Sequence, residues 1–146
     1  MDQDRLGERE LLARTMAIEQ SSRRPTTIYI VDDNDSVRDS LRMLLEVEGF
    51  TVADFASGAE FLSGAQPIGQ CCLLLDLHMP GMSGLEILER LRGDRSPIPV
   101  VVMTGYPNLA AATAVARAGA VLVEKPFSGR ELFDAIEKSL RGSSAL

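Results

Sequence analysis

The stretch Cys71-Cys-Leu-Leu-Leu-Asp76 sets apolar residues in an unbroken row and ends the row on a carboxylate. An amphipathic helix would interrupt such a row at helical spacing, and a half-buried strand would alternate. A short unbroken run bounded by turn residues suits a strand covered on both faces, as in a parallel sheet. Pro67 and Gly69 precede the run, and Met79-Pro-Gly-Met-Ser-Gly84 follows it as a turn-rich loop.

The same pattern repeats on either side. Upstream, Thr27-Ile-Tyr-Ile-Val31 is a β-branched strand (β1) that ends in Asp32-Asp33. Asn34 or Asp35 can cap the next helix, α1, where Val37, Leu41, Leu44 and Leu45 share one face, and Gly49 stops it. Phe50 to Phe55 reads as β2, and Ser57 caps a short helix, α2, through Leu62. Cys71 to Asp76 is then β3. Downstream, Leu85, Leu88 and Leu91 mark α3, and Val100-Val-Val-Met103 is β4, ending at Thr104. Leu109 to Ala118 is an Ala-rich helix, α4, closed by Gly119. Val121-Leu-Val123 is β5 and leads into Glu124-Lys-Pro-Phe127. Ser128 caps α5, with Leu132, Phe133, Ile136 and Leu140 on one face. Strands alternating with helices predict an α/β fold of (βα)5 type, a doubly wound five-stranded parallel sheet.

The chain of 146 residues has a one-domain length, and 45% apolar residues suffice for its core. The boundaries expected are a charged, partly helical N-terminal extension over 1–25, a folded domain over 26–141, and a short tail over 142–146. In the extension Leu12 and Met16, and Leu11, Thr15 and Ile18, fall at helical spacing before Pro25. A net charge of −6 argues against direct nucleic-acid binding, which needs clustered Lys and Arg. The only cysteines, Cys71 and Cys72, are adjacent and lack metal-ligand spacing, so they read as small packing residues. No run is long and apolar enough for a membrane span, and the charged N-terminus is unlike a signal peptide. A cytoplasmic setting without membrane attachment is expected.

In open α/β sheets the ligand site lies beyond the carboxyl ends of the strands. Asp32 and Asp33 after β1, Asp76 after β3, Thr104 after β4 and Lys125 after β5 would converge there. Each alone is ordinary, since an Asp at a strand end is most often a turn or cap residue. Together they match one chemistry. Clustered carboxylates repel one another unless a cation sits among them. Hard oxygen ligands suit Mg²⁺, which would let an anionic phosphoryl group approach an anionic nucleophile. Asp76, on the expected central strand, is best placed as that nucleophile.

These residues resemble the response regulator receiver family, the CheY-like domains. The resemblance covers about Thr26 to Leu140. It rests on Ile30-Val-Asp-Asp-Asn34, Leu74-Leu-Asp-Leu-His-Met-Pro-Gly-Met-Ser-Gly-Leu85, Val102-Met-Thr-Gly105 and Glu124-Lys-Pro-Phe127. Val37-Arg-Asp-Ser-Leu41 and Phe55-Ala-Ser57 look most like the FixJ subgroup. The resemblance implies a flavodoxin-like strand order of 2-1-3-4-5. It implies Asp76 as phosphoacceptor, with Asp33 and Asp76 ligating Mg²⁺ directly, Asp32 acting through water, and His78 offering its backbone carbonyl. Thr104 and Lys125 would be the switch hydroxyl and the phosphoryl-pairing ammonium, with a cis Lys125–Pro126 bond.

The implied function is a phosphorelay receiver rather than an enzyme acting on other substrates. Its donor would be a sensor histidine kinase or a histidine phosphotransfer protein. Its output would be a protein partner met through α4-β5-α5, with a phosphorylation-dependent homodimer as a further expectation. Family members often carry Tyr or Phe three residues before the lysine, where this chain has Leu122. FixJ-like proteins carry a DNA-binding output domain, whereas this sequence stops at Leu146, so a stand-alone receiver or a piece of a longer protein is expected. His78 and Tyr106, two residues beyond Asp76 and Thr104, read as variable loop side chains whose bulk restricts the in-line water.

Three other functions fit less well. A phosphatase of the haloacid-dehalogenase type needs a second Asp where Asp76-Leu-His78 has histidine. A phosphorylation-independent module would not need the full acid set. A flavodoxin-like cofactor site would not place Asp33-Asn-Asp35 against a phosphate.

Overall fold

The computed structural model describes residues 7–12 and 26–144. Residues 7–12 are helical; the expected spacings through Thr15, Met16 and Ile18 run outside the described residues. From Thr27 the chain alternates strand and helix without exception: β1 Thr27–Val31, α1 Asp35–Val47, β2 Thr51–Phe55, α2 Gly58–Gly64, β3 Cys71–Asp76, α3 Gly84–Gly93, β4 Val100–Thr104, α4 Leu109–Arg117, β5 Val121–Glu124 and α5 Gly129–Ser144. All strand pairs are parallel, and the order across the sheet is β2-β1-β3-β4-β5, as the resemblance implied. The register sets Val31 beside Leu75, Asp76 beside Met103, and Thr104 beside Glu124, so the strand ends align along one rim.

Two cores lie on opposite faces of the sheet. Tyr29, Val31, Cys71, Leu73, Leu75, Val100 and Val102 pack against Phe61 of α2, Ile87 and Leu91 of α3, and Val115 of α4. Ile28, Ile30, Cys72, Leu74, Val101, Met103 and Val123 pack against Leu41 and Leu45 of α1 and Leu132 and Ile136 of α5. Every residue of β3 is buried, which explains its lack of alternation.

Local signals place the helix ends. Asn34, Ser57, Ser83 and Asn108 each accept a hydrogen bond from a backbone N–H of the helix they begin. Phe50, expected in β2, instead closes α1. Gly49 takes a left-handed φ of 97°, its N–H bonds to the Glu46 carbonyl, and Phe50 donates to the Leu45 carbonyl. The Phe50 ring then packs 6.5 Å from that of Phe133 on α5. The short helix α2 runs to Gly64, past the expected end at Leu62. No helix among the described residues is long and apolar enough to cross a membrane.

Candidate functional site

β1 and β3 are neighbours, so Asp32, the first residue after β1, and Asp76, the last of β3, deliver two carboxylates to the same rim. Asp32 is 1% exposed and Asp76 6% exposed. Asp33, one residue further along the turn, is exposed. One oxygen from each of the three lies within 4.8 Å of the others. Thr104, at the end of the adjoining β4, is wholly buried. Lys125 arrives from β5, and its N–H donates to the Thr104 carbonyl at 2.7 Å. Its Nζ stands 3.5 Å from Asp32 Oδ2 and 3.5 Å from Asp76 Oδ1. The Lys125–Pro126 bond is cis. All five residues read from the strand ends therefore meet at one rim.

The backbone holds these groups in place. Asp32 Oδ1 accepts from the Asn34 N–H at 2.9 Å. Asp76 Oδ1 faces the His78 N–H at 3.4 Å, and Thr104 Oγ1 accepts from the Tyr106 N–H at 3.1 Å. The rings of His78 and Tyr106 meet edge to face, with centroids 5.6 Å apart. The loop after β3 folds back tightly: the Gly84 N–H donates to the Leu77 carbonyl at 3.1 Å, while Leu77 donates to the Met103 carbonyl at 2.9 Å.

The electrostatics are unbalanced. Burial raises the Asp76 carboxyl above its ordinary range, and the negative charge of Asp32 adds to the rise. Lys125 and the His78 N–H pull in the other direction and do not overcome it. A site of three carboxylates facing one ammonium has unmet demand for positive charge. The donors are all hard oxygens. One from each carboxylate lies within 4.8 Å of the others, near enough to share one small cation. The donor set fits a small divalent cation, with Asp32, Asp33 and Asp76 able to hold it.

Two contributors were not singled out in the sequence. Gly84 was read as part of a turn-rich loop and of a stretch of resemblance, with no role of its own, yet a Cβ there would stand 2.2 Å from the Asp76 carbonyl oxygen. Arg38 appeared only within a stretch of resemblance. Its Nη1 donates to the Asp32 carbonyl at 2.6 Å. The glycine had a readable signal, since a required glycine often marks close backbone approach. For the arginine only its pairing with Asp35, three residues earlier, was readable; its contacts with the Asp32 carbonyl and with Asp54 on β2 were not.

The sequence family described as the response regulator receiver domain matches residues 28–137. The transcriptional regulatory protein FixJ of Bradyrhizobium diazoefficiens is 37% identical over 115 residues, covering 78% of this chain and 56% of its own length. The chain thus spans about half the length of that relative. Among solved structures, FixJ-N superposes with a TM-score of 0.74 at 37% identity, over 84% of this chain and 97% of that one. The chemotaxis protein CheY4 of Vibrio cholerae gives a TM-score of 0.73 at 25% identity, over 80% of this chain and all of that one.

Proposed function

The chain belongs to the response regulator receiver family, and from that premise we propose that Asp76 accepts a phosphoryl group from a phosphohistidine in a Mg²⁺-dependent transfer. The observation that carries this reading is the Lys125 ammonium, held 3.5 Å from both Asp32 and Asp76 at the rim of the sheet. An ammonium between two buried carboxylates can follow charge from one to the other as a phosphoryl group arrives.

Asp32, Asp33, Asp76 and the backbone carbonyl of His78 would hold the ion. When bound, Mg²⁺ supplies the positive charge that neutralises the phosphoryl oxygens. The chain's own groups do the rest. A carboxylate oxygen of Asp76 attacks phosphorus in line with the breaking P–N bond. The imidazole keeps the electron pair of that bond and takes up a proton, and Asp76 becomes an acyl phosphate. Lys125 pairs with a phosphoryl oxygen, and the Thr104 hydroxyl turns from the Tyr106 N–H to donate to another.

The donor in this reading is a sensor histidine kinase or a histidine phosphotransfer protein, in the cytoplasm. The receiver is a signalling module that catalyses only its own phosphorylation and dephosphorylation. Its output is contact with a protein partner through α4, β5 and α5, a surface that can also join two phosphorylated copies.

Mass spectrometry after incubation with acetyl phosphate and Mg²⁺ tests the chemistry. One added phosphoryl group is expected on the wild type and none on Asp76→Asn. An adduct that survives the substitution, or no adduct on the wild type, refutes the assignment.

A further inference from the structure

Arg38 stands outside the constellation at the rim, yet its side chain is only 13% exposed. Its three nitrogens go to three places. Nη1 donates to the Asp32 carbonyl at 2.6 Å, Nη2 pairs with Asp35, and Nε lies 3.5 Å from Asp54 Oδ2 on β2. Asp54 is itself fixed, because Arg42 Nη2 donates to its Oδ1 at 2.8 Å. That bond, ahead of the opposing effect of burial, holds the Asp54 carboxyl below its ordinary range. Arg42 is in turn tied to the Val52 carbonyl at 3.1 Å. A chain of charged groups thus runs from β2 to Asp32, the first residue after β1.

The Asp32 carbonyl belongs to the peptide that joins Asp32 to Asp33. Rotating that peptide would swing both carboxylates relative to Asp76. Mutual repulsion among the three acids favours such a rotation. A guanidinium pinned at its far side by Asp54 opposes it, with a planar fork that a lysine cannot reproduce. Resting on the reading of the acid cluster as a Mg²⁺ site, we propose that Arg38, braced by Asp54, is a positioning residue that holds the Asp32–Asp33 peptide in its cation-binding geometry.

The sign of one measurement separates positioning from simple charge. If Arg38 acted only through its positive charge, removing it would tighten binding of a cation. If it positions the ligands, removing it weakens binding. Calorimetric titration of the full chain with Mg²⁺ should show Arg38→Met raising the dissociation constant about tenfold, the scale typical for groups that support metal ligands. Arg38→Lys should recover part of the loss. Asp54→Asn should weaken binding in the same direction by less, and should add nothing to Arg38→Met. Urea melts without Mg²⁺ identify which variants are folded. Should Arg38→Met not fold, Asp54→Asn decides. Unchanged or tighter Mg²⁺ binding in the folded variants overturns the inference while leaving the site reading intact. A wild type that binds no Mg²⁺ overturns both.

Discussion

At Gly84 an added Cβ would meet the Asp76 carbonyl oxygen at 2.2 Å and the Leu77 Cα at 2.8 Å. Both neighbours are backbone, so neither can step aside cheaply. Gly58 is also crowded, but there the clash is with the end of the Ile87 side chain. Gly84→Ala is therefore expected to cost about 1–3 kcal/mol, the range for overpacking, and to slow labelling of Asp76 by acetyl phosphate. Urea denaturation and the labelling time course measure the two effects separately. His78 and Tyr106 offer a second test at this scale. Their N–H groups point to Asp76 and Thr104, and their rings meet beside the site. His78→Asn and Tyr106→Ala should each shorten the lifetime of phosphorylated Asp76 a few-fold by opening the path of the in-line water. Lifetimes that stay the same or lengthen would show that the rings do not screen the phosphate. Cys72, by contrast, belongs to the packing: burial pushes its thiol up to about 12, against the hydrogen bond with Ser139.

Arg92 joins three elements at their ends. From the last turn of α3, its Nε donates to the Ala118 carbonyl behind α4 at 2.7 Å, and its Nη1 donates to the Ser96 and Ile98 carbonyls, each at 2.9 Å. Arg92→Met would keep the aliphatic stem and leave those carbonyls without their donor. A loss of about 3 kcal/mol is expected, the order of a few charge-assisted hydrogen bonds. Faster amide hydrogen exchange should appear at the C-terminal end of α4; uniform exchange across the molecule would contradict a local clamp. Arg92 also shows what a sequence hides. The elements were legible because apolar spacing, Asn and Ser caps and stopping glycines are local signals. The Arg92 acceptors lie 4, 6 and 26 residues away and come together only in the finished fold. The expected start of β2 at Phe50 erred for a related reason. An apolar residue after a helix-stopping glycine serves the helix end as well as it would a strand.

Across the whole molecule, two carboxylates respond to pH with opposite sign. Asp76 has a raised native pKa, so the metal-free native state binds its proton more tightly than the unfolded chain does. Stability should therefore rise as pH falls from 7 through that pKa towards the unfolded value of about 3.9. Asp54 has a lowered native pKa, so its contribution is complete above about 3.9 and is lost as pH falls through the native value. Thermal melts without Mg²⁺ should show a shallow acid-side maximum in the wild type. Asp76→Asn should melt a few degrees higher at pH 7 and lack the rise; a wild type that loses stability steadily from pH 7 would contradict it. The candidate site was legible at this scale because topology, rather than local sequence, gathers Asp32, Asp33, Asp76, Thr104 and Lys125. Strand alternation was enough to predict the rim. The brace behind it, Arg38 and Asp54, depends on how α1 lies across β2, which no spacing encodes. The separation of the two cores has one more consequence, best put as a reading frame. Asp32 and Asp76 continue the phase of Ile28, Ile30, Cys72 and Leu74, whereas Thr104 continues the phase of Val100 and Val102. A single codon inserted within Cys71–Leu75 would shift that phase and send the Asp76 carboxylate towards the α2–α4 layer. Two codons would restore the direction, so β3 should tolerate length changes, where it tolerates them at all, only in pairs.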